Sequence, residues 1–209
     1  MTEKEVYASW IPRINPALKI VNFIQDVVAN NVFIVSGQGM PRTLQRIEPS
    51  LQDIDQHGGI DRFVVSVDSE DLEFESKLEE LMAKVQSVGP KVPVYPIVQH
   101  YCFESWALGN RVVGAKRPKD LNLAEYKRQY DVSNMDPARM PSLKDGFNRA
   151  QFSEHYLRLL LNDQHKGLTY TKANPSVVCH EKYFDQVRKR HQDTSHISSF
   201  HQFIEAFTV

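Results

Sequence analysis

Along the first half of the chain, short unbroken apolar runs alternate with stretches in which apolar residues recur at helical spacing. The clearest run, Phe63-Val64-Val65-Ser66-Val67, lies between Gly58-Gly59 and the polar cluster Asp68-Ser69-Glu70-Asp71. Apolar density of this kind, without alternation, marks a strand buried on both faces of a parallel sheet. Asn31-Val32-Phe33-Ile34-Val35 leads into the glycine turn Ser36-Gly37-Gln38-Gly39, Val92 to Val98 is a third strand-like run, and Leu18 to Val21 a shorter one. Between them lie helical patterns. Leu44, Ile47 and Leu51 follow Pro41 as first helical residue; Phe74, Leu78, Leu81, Met82 and Val85 precede Gly89-Pro90; Phe103-Glu104-Ser105-Trp106-Ala107-Leu108 opens another helix. Glu3 to Trp10 forms a short amphipathic helix, stopped by Pro12 and Pro16. Strand and helix alternating at this length predict βαβ crossovers and a parallel sheet.

The pattern changes at Gly114. From there to Gly146 the chain is rich in Lys, Arg, Asp and Pro with little periodicity, and reads as an insertion or long loop. Beyond it, Phe152, Tyr156, Leu159 and Leu160 mark a helix that Gly167 stops, and Phe184, Val187, Ile197, Phe200, Phe203, Ile204 and Phe207 mark closing helices. Their aromatic stripes are expected to be core and not a platform for stacking bases. The expected organisation is an α/β core over 1–113, an insertion over 114–147 and a helical part over 148–209 that packs on the core. No internal repeat interrupts it.

Composition narrows the function classes. The 209 residues are 41% hydrophobic and 24% charged, with a formal net charge of −1. That is enough chain for one sizeable core and too little charge for a global field that draws in nucleic acid. Local basic clusters, Arg111 to Lys119 and Lys182 to Arg190, are compatible with a phosphate backbone or with ordinary solvated helix faces. Cys102 and Cys179 are far apart and in no C-x-x-C pair, so neither a disulfide framework nor a zinc knuckle is expected, and a reducing cytoplasm is. No apolar run reaches the ~18 residues of a membrane span, and the polar start Met1-Thr2-Glu3-Lys4-Glu5 is not a signal peptide.

The candidate chemistry sits where the strongest strand ends. In open α/β sheets ligands bind at the carboxyl ends of strands. Asp68 and Glu70, two positions apart, suit a hard cation such as Mg²⁺, which takes oxygen ligands and completes its shell with water and phosphate. A solvated strand end with Ser69 or Asp71 capping the next helix is the competing reading. His57 and His100 lie near strand ends, His180 stands beside Cys179, and each reads as a structural histidine. Ser36-Gly37-Gln38-Gly39-Met40-Pro41 lacks the Gly-Lys-Ser/Thr ending of a P-loop, and no G-x-S-x-G elbow is present.

Four segments in order give the chain a resemblance: the turn Ser36-Gly37-Gln38-Gly39, the strand end Asp68-Ser69-Glu70-Asp71, the segment Phe103-Glu104-Ser105-Trp106 and the late Tyr170-Thr171-Lys172. Together they resemble the topoisomerase-primase (Toprim) domain, and within it small stand-alone Toprim proteins and the nuclease domain of the overcoming-lysogenization-defect family. The resemblance implies a mostly parallel central sheet flanked by helices, with a C-terminal helical extension. It also implies Mg²⁺- or Mn²⁺-dependent hydrolysis of phosphodiester bonds in DNA or RNA, in a setting such as phage defence or nucleic-acid repair.

Carried over by position, Asp68 and Glu70 match the family's Asp-x-Asp/Glu metal pair, with Asp71 as a candidate just behind it. Glu3 matches the acid of an x-Thr-Glu motif that follows the family's leading Glu-Gly, and no such Glu-Gly precedes Thr2-Glu3 in this sequence. Thr2 also reads as a helix N-cap with Glu5 closing a capping box. Glu104 corresponds to a further acid and Lys172 to a late lysine that stabilises phosphate charge; their competing readings are a helix-terminal acid and a loop charge. The missing Glu-Gly opens an alternative, a catalytically impaired module that binds nucleic acid or a protein partner. An unpaired sheet edge also makes a homodimer an expected possibility.

Overall fold

The computed structural model describes residues 2–164 and 169–208. Its α/β character is clear, but the strands form two separate parallel pairs and not one central sheet. Helix α1 (Thr2–Ile14) comes first. Strand β1 (Lys19–Val21) pairs with β2 (Asn31–Phe33); β3 (Phe63–Asp68) pairs with β4 (Val94–Gln99), from Phe63 opposite Val94 to Asp68 opposite Gln99. Helix α2 (Arg42–His57) links the two pairs, and α3 (Phe74–Val88) crosses over from β3 to β4. Among the described residues the expected single sheet is divided between β2 and β3.

Local chemistry explains the boundaries. Helix α1 passes through Pro12 and ends at Ile14. Proline costs the helix a backbone hydrogen bond, and complete burial of Val6, Trp10 and Ile11 on the same helix offsets that loss. Strand β2 stops at Phe33, two residues short of the glycine turn that the sequence places after Val35, and among the described residues it pairs on one side alone. Helix α2 starts at Arg42, with Pro41 in the cap position. Gly37 is needed at its turn, since a Cβ there would lie 2.3 Å from the Thr43 hydroxyl oxygen. Gly89 ends α3 in the left-handed conformation, as the sequence predicts.

After β4, the short α4 (Phe103–Ala107) is wholly buried. The stretch from Gly114 to Gly146 is more ordered than expected, with helix α5 (Leu121–Gln129) and a 3-10 turn at Pro137–Arg139. Leu123 and Tyr126 give α5 its inward face, too small an apolar pattern to stand out in a charged sequence. Asp120 caps α5 by accepting from the Leu123 N–H. Helices α6 (Arg149–Gln164), α7 (Ser176–Cys179), α8 (Glu181–Thr194) and α9 (Phe200–Phe207) complete the chain. The expected stop at Gly167 lies outside the described residues.

Two apolar layers sandwich the strands. On one face, Val65, Val67 and Val98 meet Ile47, Leu51 and Ile54 of α2 and Leu81 and Val85 of α3. On the other lies the main core, built from α1, α4, α6, α8 and α9. Trp10 packs against Phe103 and Phe184, each at a centroid distance of 5.3 Å, and donates its indole N–H to the Val178 carbonyl. Trp106 donates to Ser199 Oγ at 2.8 Å. These rings are core, as their spacing predicts. Both strand pairs lay a face on this core, β1 and β2 through Ile20 and Val32, β3 and β4 through Val64 and Tyr95.

Candidate functional site

Strand β3 alternates its side chains between the two layers, so Ser66 and Asp68 project toward α1 and the main core while Val65 and Val67 face α2 and α3. Tyr7 of α1 shares a 2.8 Å hydrogen bond with Ser66 Oγ and fixes the helix against the strand. The amino end of α1 thereby comes to the carboxyl end of β3. Glu3, Asp68, Glu70, Gln99 and Lys172 all line one cavity there, of about 1100 Å³.

Asp68 is the centre of the cluster. Its Oδ1 is buried and has no hydrogen-bond partner. Burial raises its pKa well above the ordinary value, the negative charges of Glu104 and Glu3 raise it further, and Lys172 opposes them. Glu104, at the first turn of α4, is buried and accepts a 2.7 Å hydrogen bond from the Tyr170 hydroxyl. Burial raises its pKa too, against the pull of Lys172 and of that hydrogen bond.

Lys172 is presented by a tight turn closed by the Thr171–Asn174 bridge, and its carbonyl accepts from the Thr2 hydroxyl at 2.6 Å. Its ammonium stands 3.4 Å from Glu154 Oε2. Burial works against the charged form, but Glu104, Glu154 and Asp68 outweigh it and hold the lysine charged. Sequence positions 3, 68, 104 and 172 thus meet electrostatically around one buried carboxylate.

Other expected residues stand differently. Glu70 follows in the left-handed conformation at φ 55°, exposed at the cavity mouth, with its backbone N–H on the Tyr101 carbonyl at 2.8 Å. Asp71 turns away from the cluster: its Oδ1 accepts from the Arg149 backbone N–H at 2.8 Å and from Nε at 3.2 Å, fastening α6 to the loop after β3. His100 bonds Ser69 through Nδ1 at 2.9 Å, His57 Nδ1 accepts from the Gly59 N–H, and His180 accepts from the Lys182 N–H, all structural roles. Sequence reasoning missed Tyr170 and Glu154 as partners of Glu104 and Lys172. Tyr170 had one available signal, its place two residues ahead of Lys172.

The donor set fits a hard cation in part. The orphaned Asp68 Oδ1 is the kind of ligand that Mg²⁺ or Mn²⁺ takes. Glu104 has one oxygen engaged by Tyr170, and among the described residues no three His, Cys, Asp or Glu side chains are grouped as a ready metal site. Comparison with family models, characterised proteins and solved structures finds no match to this chain. No helix among the described residues is long and apolar enough to cross a membrane.

Proposed function

We propose that this is a Toprim-like protein that hydrolyses phosphodiester bonds of DNA or RNA with the help of Mg²⁺ or Mn²⁺. One observation carries the reading: Asp68, an acid with a buried, unpartnered oxygen at the carboxyl end of β3, sits in the field of Glu3, Glu104 and a charged lysine, Lys172. Asp68 would hold the cation, with Glu3 and Glu70 at the same cavity and water completing its shell. A divalent ion bound there supplies electrophilic stabilisation of a phosphate and activation of water. Lys172 places a fixed positive charge for the oxyanion that develops on phosphorus, where preorganised charge is most effective. Glu104 positions the lysine and, through Tyr170, the turn that carries it.

A second reading rests on the absence, among the described residues, of a three-acid group. In it the same cavity binds nucleic acid or a protein partner without cutting. Labelled single-stranded DNA, duplex DNA and transfer RNA, incubated with Mg²⁺ or Mn²⁺ and either wild type or Asp68→Ala, separate the two. Metal-dependent cleavage lost in the variant is expected. Binding without cleavage, equal in both proteins, establishes the second reading.

A further inference from the structure

Helix α6 leads from Lys172 to a second group of cations. On its solvent side Glu154 meets Lys172, and Arg158, four residues on, projects from the same side. Arg158 donates to His155 Nδ1 at 3.3 Å. The His155 ring stands edge-on to Phe147 at 5.5 Å and to Tyr126 of α5 at 6.0 Å, and the Lys144 ammonium lies 4.2 Å from the centre of the Phe147 ring. Half-buried rings are thus bordered by cations on two sides. Burial lowers the pKa of His155, and Lys144 and Arg158 lower it further against the smaller pull of Asp120 and Glu154, so the ring stays neutral in a positive field.

Most neighbouring carboxylates are already engaged. Glu154 faces Lys172, Glu125 holds Arg128, Asp120 accepts from the Leu123 N–H, and Asp163 accepts from the Lys119 and Asp120 N–H groups at 2.7 Å. Asp145, next to Lys144 in the chain, is exposed. Among the described residues neither Lys144 nor Arg158 forms an ion pair. Asp163 also fixes a basic loop to the end of α6. With Lys119 held there and the Ala115 carbonyl accepting from Lys127 Nζ at 2.8 Å, the loop is pinned at both ends and turns Lys116, Arg117 and Lys119 to solvent. From Glu154 to Asp163 the helix spans about 14 Å, so these cations form one band that starts at Lys172. The other basic cluster of the sequence is built differently: Arg190 turns inward, and Lys182 and Lys189 stand exposed on α8.

We infer that this face of α6 binds single-stranded nucleic acid and leads the strand to Lys172. Lys144, Arg158 and the pinned loop suit successive phosphates, while the His155 and Tyr126 rings and the Arg158 guanidinium plane suit the bases. Single strands are bound by this combination, a cationic track with flat groups on which any base can stack. A duplex keeps its base faces covered, and an acidic peptide meets the charges but not the rings, so each would use half of what the patch offers. The inference rests on the phosphodiester reading for the identity of its ligand, and adds to that reading the path of the strand.

The test is binding of a fluorescently labelled oligothymidylate, followed by anisotropy in a metal chelator so that no cleavage intervenes. Lys144→Ala/Arg158→Ala is compared with Lys182→Ala/Lys189→Ala, which removes the same charge from the other basic cluster, and circular dichroism checks that both remain folded. The first pair should weaken binding at least about 10-fold and flatten the dependence of log affinity on log salt by about 1.4, or about 0.7 for each of two phosphate contacts; the second should stay within roughly twofold of wild type. Equal weakening by the two pairs overturns the inference, because net charge alone would then explain the binding. So does a wild type that binds oligothymidylate no better than polyglutamate, or no better than the same strand annealed to its complement. Failure of the phosphodiester reading looks different: the oligonucleotide is bound as expected and, once Mn²⁺ is restored, stays uncut.

Discussion

The two faces of the strand layer handle polarity in opposite ways. Toward α8 and α9 the core is aromatic and dry, and its polar atoms are answered one by one: the indole N–H of Trp106 by Ser199, the Tyr183 hydroxyl by the Ala107 carbonyl, the Trp10 indole by Val178. Toward the cavity the same strands leave Asp68 Oδ1 and Gln99 Nε2 buried and unanswered, and Val35 at the lip is 52% exposed. A buried polar atom without a partner costs about 1–3 kcal/mol. The closed side therefore supplies the stability that the open side gives up, and the open side is where a ligand has something to gain.

The sharpest way to break this contrast is to open the closed side. Trp106→Ala removes a fully buried indole and takes from Ser199 Oγ the shorter of its two donors, leaving the His100 N–H at 3.3 Å. A loss of about 3–5 kcal/mol is expected, which lowers the melting temperature by roughly 6–20 °C in a chain of this size. Thermal unfolding by circular dichroism measures it. A fall of only a degree or two would mean that the aromatic layer is not what holds the fold.

Arg190 carries the closed side's polar logic to its limit. It is fully buried, donates to the carbonyls of Val132 and Met135 and bonds His196 Nδ1. Burial lowers its pKa to about 10. Arg190→Met leaves both carbonyls without their donor, and a loss of about 2–4 kcal/mol is expected. The loss should be accompanied by faster hydrogen exchange around residues 131–136. If the melting point falls while exchange there is unchanged, the arginine acts through packing and not by tying down that loop.

Sequence made the closed side easier to read than the open one. Phe200, Phe203 and Phe207 fall at helical spacing, and α9 forms where they predict it. The pattern through Phe74, Leu81 and Val85, bounded by Gly89, likewise marks α3. Asp68 and Glu70 were legible because acids at a strand end break an apolar run abruptly, whereas Glu104 and Lys172 were singled out by the resemblance alone. The pairing of Lys172 with Glu154 and of Glu104 with Tyr170 was not, because each joins segments far apart in sequence with no local period to signal them. The gap between β2 and β3 was also hidden. Apolar runs announce strands, but nothing in a run tells which edge will find a partner. Arg190 lay within a basic cluster that reads as surface, and only the tertiary fold turns it inward.

On the open side, the charge on Asp68 is the next handle. Its folded-state pKa and that of Glu104 are both raised, chiefly by burial, above the values of the unfolded chain. The folded protein therefore holds these protons more tightly. Their contribution is complete below the ordinary carboxyl range and is lost as pH rises through the raised folded values. In buffer containing a metal chelator, Asp68→Asn should melt above wild type at pH 8 by roughly 2–4 °C, about 1 kcal/mol, and the difference should close near pH 4. Added Mg²⁺ or Mn²⁺ should raise the melting point of wild type and leave that of Asp68→Asn unchanged. A variant no more stable than wild type at pH 8 would show that Lys172 already neutralises the carboxylate in full.

The smallest expected effect tests whether the lip of the cavity is as open as its exposure implies. Val35 follows β2 and turns to the cavity with about half of its surface in solvent. A side chain so placed has little apolar area left to lose, so Val35→Ser should change stability by less than about 0.5 kcal/mol, or roughly 1–2 °C. The equivalent measurement on the closed side, Val187→Ser, removes a fully buried valine of α8 and introduces a hydroxyl into the aromatic core, and should cost several times more. Equal losses at the two positions would mean that the lip is packed in solution, by a neighbouring segment or another molecule.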